Sequence, residues 1–227
     1  MLTGLALEAR LAKSLAGQME PASPEPIIRC AAASTARAIE EAEALCRHGV
    51  AALLSFGLAG GLDPSLPSGS VILALEIRTA SGKALACDAT WQERIMAKAS
   101  GLTLIRAPLA AAARPLTGSN DKARLFAASK AAAVDMESLA LAEAAAAAGL
   151  PFLALRAVAD AADRNLPTAA LAPLSHDGRA QPLYVIGRLA RRPWELPALV
   201  RLGRDAGHAE RALAGLSQIA APLFRGF

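Results

Sequence analysis

Three observations predict an α/β fold built on one sheet, in a single domain covering residues 1–227. The first is the stretch Ala131–Leu166, in which an apolar run, a helix and a second apolar run follow one another. The second is Val50–Phe56, the clearest buried strand, followed at once by Gly57, Gly60 and Gly61. The third is composition: 227 residues are 54% apolar but only 4% aromatic, so a substantial core must pack largely through alanine.

Taken in order, Leu2 and Thr3 end a short first strand that turns at Gly4 into a helix carrying Glu8 and Arg10. That strand is either very short or begins before Met1. Pro21–Pro26 is a proline-punctuated loop, and Ile27–Ala31 a short strand. Ser34 or Thr35 caps a helix that runs to about His48. With Arg37, these two hydroxyls are chemically able to hold a phosphate at a helix N-terminus. Gly57, Gly60 and Gly61 let the backbone turn tightly and approach a ligand. Val71–Ile77, Ala84–Cys87 and Leu102–Arg106 read as strands, and Thr90–Ser100 as a helix. Pro108–Ser119 is a loop, and Ser119 or Asn120 caps a helix over Asp121–Lys130. Pro167–Pro182 is loop-like, and two helices follow, over Pro182–Ala190 and Trp194–Ile219.

The central unit has the grammar of a site. The run Ala131–Val134 delivers Asp135, Met136 and Glu137 to a helix that stops at Gly149-Leu150-Pro151. Phe152–Leu155 then delivers Arg156 and Asp160. In a βαβ unit the two strands are normally parallel, so both carboxyl ends open on one sheet edge, where ligands bind. Glu137 and Asp160 are thereby expected in one crevice. The plainer reading of Glu137 is that it charges the first turn of its helix, worth about 0.3–1 kcal/mol.

Composition excludes several classes. The richest apolar segments are broken by Glu143, Gly149, Pro151 or Arg156 within the roughly 20 residues a membrane span requires. Glu8 and Arg10 interrupt what would be the core of a signal peptide. Cys30, Cys46 and Cys87, like the three histidines, are too scattered for a metal centre, and reduced thiols fit a cytoplasmic protein. The formal charge of +4 comes largely from arginines near the end, among them Arg188, Arg191, Arg192, Arg201 and Arg204. Such a cluster forms a solvated face or favours an anionic phosphate or lipid surface. No nucleic-acid partner is expected.

Three motifs in order carry a family resemblance. VDMES, RAVAD at this distance, and SFGLAGGLDP followed by GSVI resemble the purine and uridine phosphorylase superfamily, especially its methylthioadenosine/S-adenosylhomocysteine nucleosidase branch. The segments GLALEAR, DKARLFAASKAAAVDMESLALA and the tail LARRPWELPALVRLGRDA are similar to the hopanoid-associated phosphorylases, and this likeness covers nearly the whole chain. The resemblance implies a three-layer αβα nucleoside-phosphorylase fold with a central mixed sheet, and cleavage of the N-glycosidic bond of an adenine nucleoside. For the branch, it implies phosphorolytic release of adenine from adenosylhopane.

The same resemblance assigns roles. Asp160 is the acid that protonates the departing base, and a neighbour such as Asp163 would help keep it protonated. Glu137, ionised, grips the ribose hydroxyls while Met136 packs on the sugar, and the Ala59-Gly60-Gly61 loop approaches the substrate. Arg156 organises the loop. Gly4, Arg10, Ser34, Thr35 and Arg37 are the candidate phosphate set, although the turn that is glycine-rich in relatives reads Ala32-Ala33 here. A gapless match to the hydrolases puts Ala9, not Glu8, where they carry the acid that orients the nucleophile. That loss weighs against water activation and hydrolysis; hydrolysis and binding without turnover stand as the alternatives to phosphorolysis. No cofactor or metal is expected, only phosphate as co-substrate. The expected partners are a small, lipid-linked nucleoside, the inner membrane face at which it resides, and further copies of the chain in a homo-oligomer.

Overall fold

The computed structural model describes residues 1–18, 25–171, 173–179, 181–225 and 227, so the loop expected at 21–26 lies mostly outside the described residues. Eight strands form one mixed sheet: β1 (Leu2–Thr3), β2 (Arg29–Cys30), β3 (Leu53–Gly61), β4 (Val71–Arg78), β5 (Ala84–Ala86), β6 (Leu104–Ala111), β7 (Ala133–Asp135) and β8 (Phe152–Asp160). Neighbours run β2-β1-β3-β7-β6-β4-β5, and β8 lies between β3 and β4. The strands β3, β7, β6, β4 and β8 therefore close into a ring.

The helices are α1 (Ala6–Ala16), α2 (Thr35–Arg47), α3 (Ala89–Lys98), α4 (Ser119–Ser129), α5 (Ser138–Ala148), α6 (Pro182–Arg191), α7 (Leu196–Ala214) and α8 (Ala220–Arg225). α5 packs against β3 and β8 with α2 behind it, whereas α7 covers β8 with α1 beside it, which gives three layers. Strand β8 is buried along its length, which is why it reads as a near-continuous apolar run. Alanine permits close layering: Ala140, Ala142 and Ala145 of α5 are all buried with Leu141. Among the described residues, no helix is long and apolar enough to cross a membrane.

The structure corrects the expected βαβ unit. β7 and β8 are not parallel neighbours; β3 pairs antiparallel with β7 and parallel with β8, so the two run in opposite senses on either side of it. β7 is only three residues long, and its partner β3 sets its direction. Gly60 faces both Val134 and Asp160, so β3 still brings the two chain segments together.

The glycines of β3 also behave differently from expectation. They remain in the strand, and Gly57, at φ 152°, is where a side chain would run into the Glu8 carboxyl. β6 extends through Pro108 to Ala111, because the register against β4 shifts between Ala74 and Ile77 and that irregularity accommodates a residue without an N–H. The cap of α4 is supplied neither by Ser119 nor by Asn120. Asn165 reaches across from the loop after β8 and accepts from the Ser119 N–H at 2.7 Å.

The C-terminal segment is anchored by Trp91, 1% exposed, whose indole N–H donates to Pro222 O at 2.8 Å and whose ring meets Phe227 edge-on at 5.2 Å. Trp91→Ala should cost about 3–5 kcal/mol in urea unfolding. Trp91→Phe should cost less, retaining burial but leaving the Pro222 carbonyl without its donor.

Candidate functional site

One edge of β3 is shared by two strands. β1 pairs with it at Ser55 and β7 at Gly60 and Gly61, and between them the edge is open. At this fork lies a cavity of about 240 Å³ lined by Gly4, Glu8, Leu58–Gly60, Asp135–Glu137 and Asp160, among others. The backbone groups of Leu58 at the fork have no strand to bond. The side chains of the site satisfy them: Glu8 Oε1 accepts from the Leu58 N–H at 2.8 Å, and Arg156 donates to the Leu58 carbonyl at 3.3 Å.

Glu8, 2% exposed, also accepts from Gly4 N at 2.6 Å and Leu5 N at 2.9 Å through Oε2. Half of its carboxylate thus caps the first turn of α1 and half crosses to β3. Glu8, and not Ala9, faces the cavity. Burial pushes its carboxyl above the usual range, against the pull of Arg156 and three backbone donors.

Arg156 is fully buried and surrounded by carboxylates. Its Nε lies 2.7 Å from Asp135, an ion pair whose N–H is not aligned for a hydrogen bond. Its Nη2 donates to Glu137 at 3.3 Å and to Ser55 Oγ at 2.6 Å. Ser138 Oγ bonds Asp135 and lies 2.9 Å from Ser55 Oγ, which completes the network. Arg156 therefore organises the acids beneath the cavity, not a loop. One guanidinium faces three carboxylates, so they cannot all be freely ionised. Glu137 carries the consequence: burial, with Asp135 and Glu8 adding to it and Arg156 opposing, pushes its carboxyl up to about 7.

Glu137 sits at the N-terminal cap of α5, but its side chain caps nothing. It turns instead toward Arg156 and Gly4, where an added Cβ would lie 2.8 Å from Oε1. Dipole complementarity at the helix end does not explain that placement.

Asp160, at the far end of β8, is held by Lys122 of α4, a residue buried to 0% exposure. Lys122 Nζ also donates to Ala161 O at 2.9 Å. Burial raises the Asp160 carboxyl, Lys122 opposes this, and the like charge that adds to it is Asp205. Asp163, expected in that part, is instead solvent-facing and paired with Arg164.

The remaining candidates divide. Gly4, Ala59, Gly60 and Met136 line the cavity. Gly61 does not; it packs on Asp160 O and Val158. Of the phosphate set, Ser34 caps α2, Thr35 donates to Ala113 O at 3.3 Å, and Arg37 binds the His176 and Cys30 carbonyls. Arg10 is exposed and off the cavity wall. Ala32 and Ala33 both adopt φ 52°, so the turn keeps the left-handed backbone that glycine would take without strain.

Sequence reasoning missed Lys122, Arg114 and the depth of Asp135. Arg114 lines the cavity with no partner among the described residues, in a loop tied to the β8 side by Leu166 N bonding Thr117 O at 2.8 Å. Lys122 carried no signal in the sequence that sets it apart from a surface cation of its helix. No group of three or more metal-ligating side chains occurs among the described residues.

The comparisons agree with this architecture. Similar solved structures include futalosine hydrolase of Helicobacter pylori, at 18% identity and TM-score 0.64 over 71% of this chain and 84% of that one. The 5′-methylthioadenosine/S-adenosylhomocysteine nucleosidase of the same organism, bound to butyl-thio-DADMe-Immucillin-A, aligns over 95% of both chains at 16% identity and TM-score 0.67. A putative nucleosidase of that type from Francisella philomiragia gives 21% identity and TM-score 0.64, covering 71% and 85%. No curated protein sequence matches. The sequence profile of the Phosphorylase superfamily matches residues 22–180, more than half the chain, and the protein belongs to that superfamily.

Proposed function

We propose that this enzyme cleaves the N-glycosidic bond of an adenine nucleoside, with Asp160 protonating the departing base and Glu137 holding the ribose hydroxyls. The carrying observation is that one cavity presents two separately held acids, Asp160 beside Lys122 and Glu137 beside Arg156. Cleavage puts positive charge on the sugar and negative charge on the base, and a carboxyl acid at the base typically contributes about 10²–10⁴-fold in rate. Met136 and Leu58 supply apolar walls between the two acids.

The finer reading is phosphorolysis, with adenosylhopane as the lipid-linked substrate. It rests on the branch resemblance of the tail and on Arg114, a cation lining the cavity that has no partner among the described residues and could take phosphate. An apolar Leu58 at the cavity wall suits a greasy substituent, and a lipid-linked substrate would bring this cytoplasmic enzyme to the membrane face, working there as a homo-oligomer. Hydrolysis is the second reading, favoured by Glu8: a buried carboxyl in the cavity is suited to orient water and repels an anionic nucleophile. Adenine release from adenosylhopane and from 5′-methylthioadenosine, measured with and without phosphate, separates them. Phosphorolysis predicts release only with phosphate; release from methylthioadenosine without phosphate sinks it and establishes hydrolysis.

Asp160→Asn keeps the shape and removes the dissociable proton. Turnover should fall by about 10²-fold or more with folding retained, and a loss within about threefold would remove Asp160 from the acid role. Glu137→Gln should lower kcat/KM at least tenfold, about 1.4 kcal/mol, and lower it less for a 2′-deoxy substrate. Because Asp135 still pairs with Arg156 in the variant, its melting temperature should change little. Equal kinetic losses for the ribo and deoxy substrates would show that Glu137 does not grip the hydroxyls.

A further inference from the structure

Lys122 has no place in the roles assigned so far, yet it is among the most deeply buried side chains of the protein and it touches the proposed acid. Lysine is almost never buried to this extent unless paired, and its partners here are the Asp160 carboxylate and Ala161 O. The arrangement poses a chemical problem. An acid must hold a proton to give one up, and an ammonium at hydrogen-bond distance favours the carboxylate. The charges facing Asp160 are few. Lys122 comes from α4 and Asp205 from α7, the latter already held by Arg164 at 3.3 Å and Ser68 at 3.2 Å. From β3, Gly60 lies beside the Asp160 carboxyl and Gly61 beside its carbonyl, and neither brings a charge. The other cluster of the cavity, Glu8, Asp135, Glu137 and Arg156, is held by its own ion pairs and by backbone groups of Gly4, Leu5 and Leu58.

We propose that Lys122 is a positioning residue for base protonation: from its buried place on α4 it fixes the Asp160 carboxyl and keeps in reserve the proton that Asp160 hands to the leaving base. The proposal rests on the reading of Asp160 as the acid for adenine release. The pair carries one proton in common, as ammonium and carboxylate or as amine and carboxylic acid. When the C–N bond breaks, its electron pair goes to the base, the Asp160 O–H bond breaks and a base N–H bond forms. The proton given up is the one the pair held in common, drawn to Asp160 from Lys122, so the pair is left as amine and carboxylate. The nucleophile, phosphate or water, releases one proton as its oxygen bonds the sugar, and that proton returns Lys122 to ammonium. A resident proton store makes the acid available at a pH where a lone buried aspartic acid would already be ionised.

The test compares wild type, Lys122→Met, Lys122→Gln and Lys122→Arg from pH 5 to 9. Adenine release from 5′-methylthioadenosine in phosphate buffer and calorimetric affinity for free adenine are both read. Lys122→Met and Lys122→Gln should come nearest to wild type at pH 5, where solvent protonates Asp160 directly. By pH 8 they should fall at least about tenfold, the alkaline limb moving to lower pH, with adenine affinity lost in parallel. Lys122→Arg keeps the cation but does not release a proton, and should be poor at both ends. If Lys122 merely ties α4 to β8, the Met and Gln variants lose stability and their profiles run parallel to wild type, which overturns the proposal; Gln serves if Met does not fold. A wild type that neither binds nor releases adenine overturns the adenine reading and this proposal with it, a failure distinct from parallel profiles.

Discussion

The peptide group of Leu58 is the point on which the rest of the site depends. Where β1 leaves the edge of β3 and β7 joins it, a half-buried N–H and carbonyl stand between the two strand pairings, and a backbone group left unpaired on full burial costs about 1–3 kcal/mol. The sequence answers with two charged side chains, Glu8 for the donor and Arg156 for the acceptor. Each is then obliged to be buried, and the burial draws in further groups. Arg156 requires Asp135 and Glu137, Asp135 takes Ser138, and Gly4 and Gly57 stay without side chains to leave room for the two glutamates. The network that keeps an open sheet edge from being costly is thus the same network that presents acids to the cavity.

Two consequences follow for chemistry. The cluster beneath the cavity is rich in negative charge, so at least one carboxyl is shifted upward, and Glu137 titrates near neutrality. A sugar hydroxyl pair donating to it would favour its ionised form, tying substrate binding to proton release. The base side is separate. Asp160 answers to Lys122 and not to Arg156, so the two ends of one cavity have independent electrostatics. Residues handling opposite charges during one reaction benefit from that separation.

Much of this was legible in the chain. β8 announced itself by the apolar run Phe152–Leu155 ahead of Arg156 and Asp160, although the strand continues to Asp160 itself, α5 by its alanines and its stop at Gly149, and Ser34 by its capping position. Pairing direction was not legible, because β7 has three residues and nothing local says whether it lies parallel or antiparallel to β3. The same holds for Lys122. Helix α4 shows no strong apolar face, and its lysine looks like any surface cation until β8 places Asp160 against it. Glu8 and Ala9 differ by one residue in sequence but by about 100° around the helix, and it is Glu8 that the helix turns toward Leu58. Of the phosphate candidates, Ser34 and Arg37 were recognised as helix-terminal groups, but their occupation by backbone partners depends on loops distant in sequence.

A crystal structure of the protein with 5′-methylthioadenosine or adenosine bound would test the arrangement most directly. The prediction is a nucleoside in the fork beside Leu58, its two ribose hydroxyls within hydrogen-bond distance of the Glu137 carboxylate and its base N7 within reach of Asp160, with the Glu8 bond to Leu58 intact. A nucleoside bound with its hydroxyls away from Glu137 or its base away from Asp160 would contradict it.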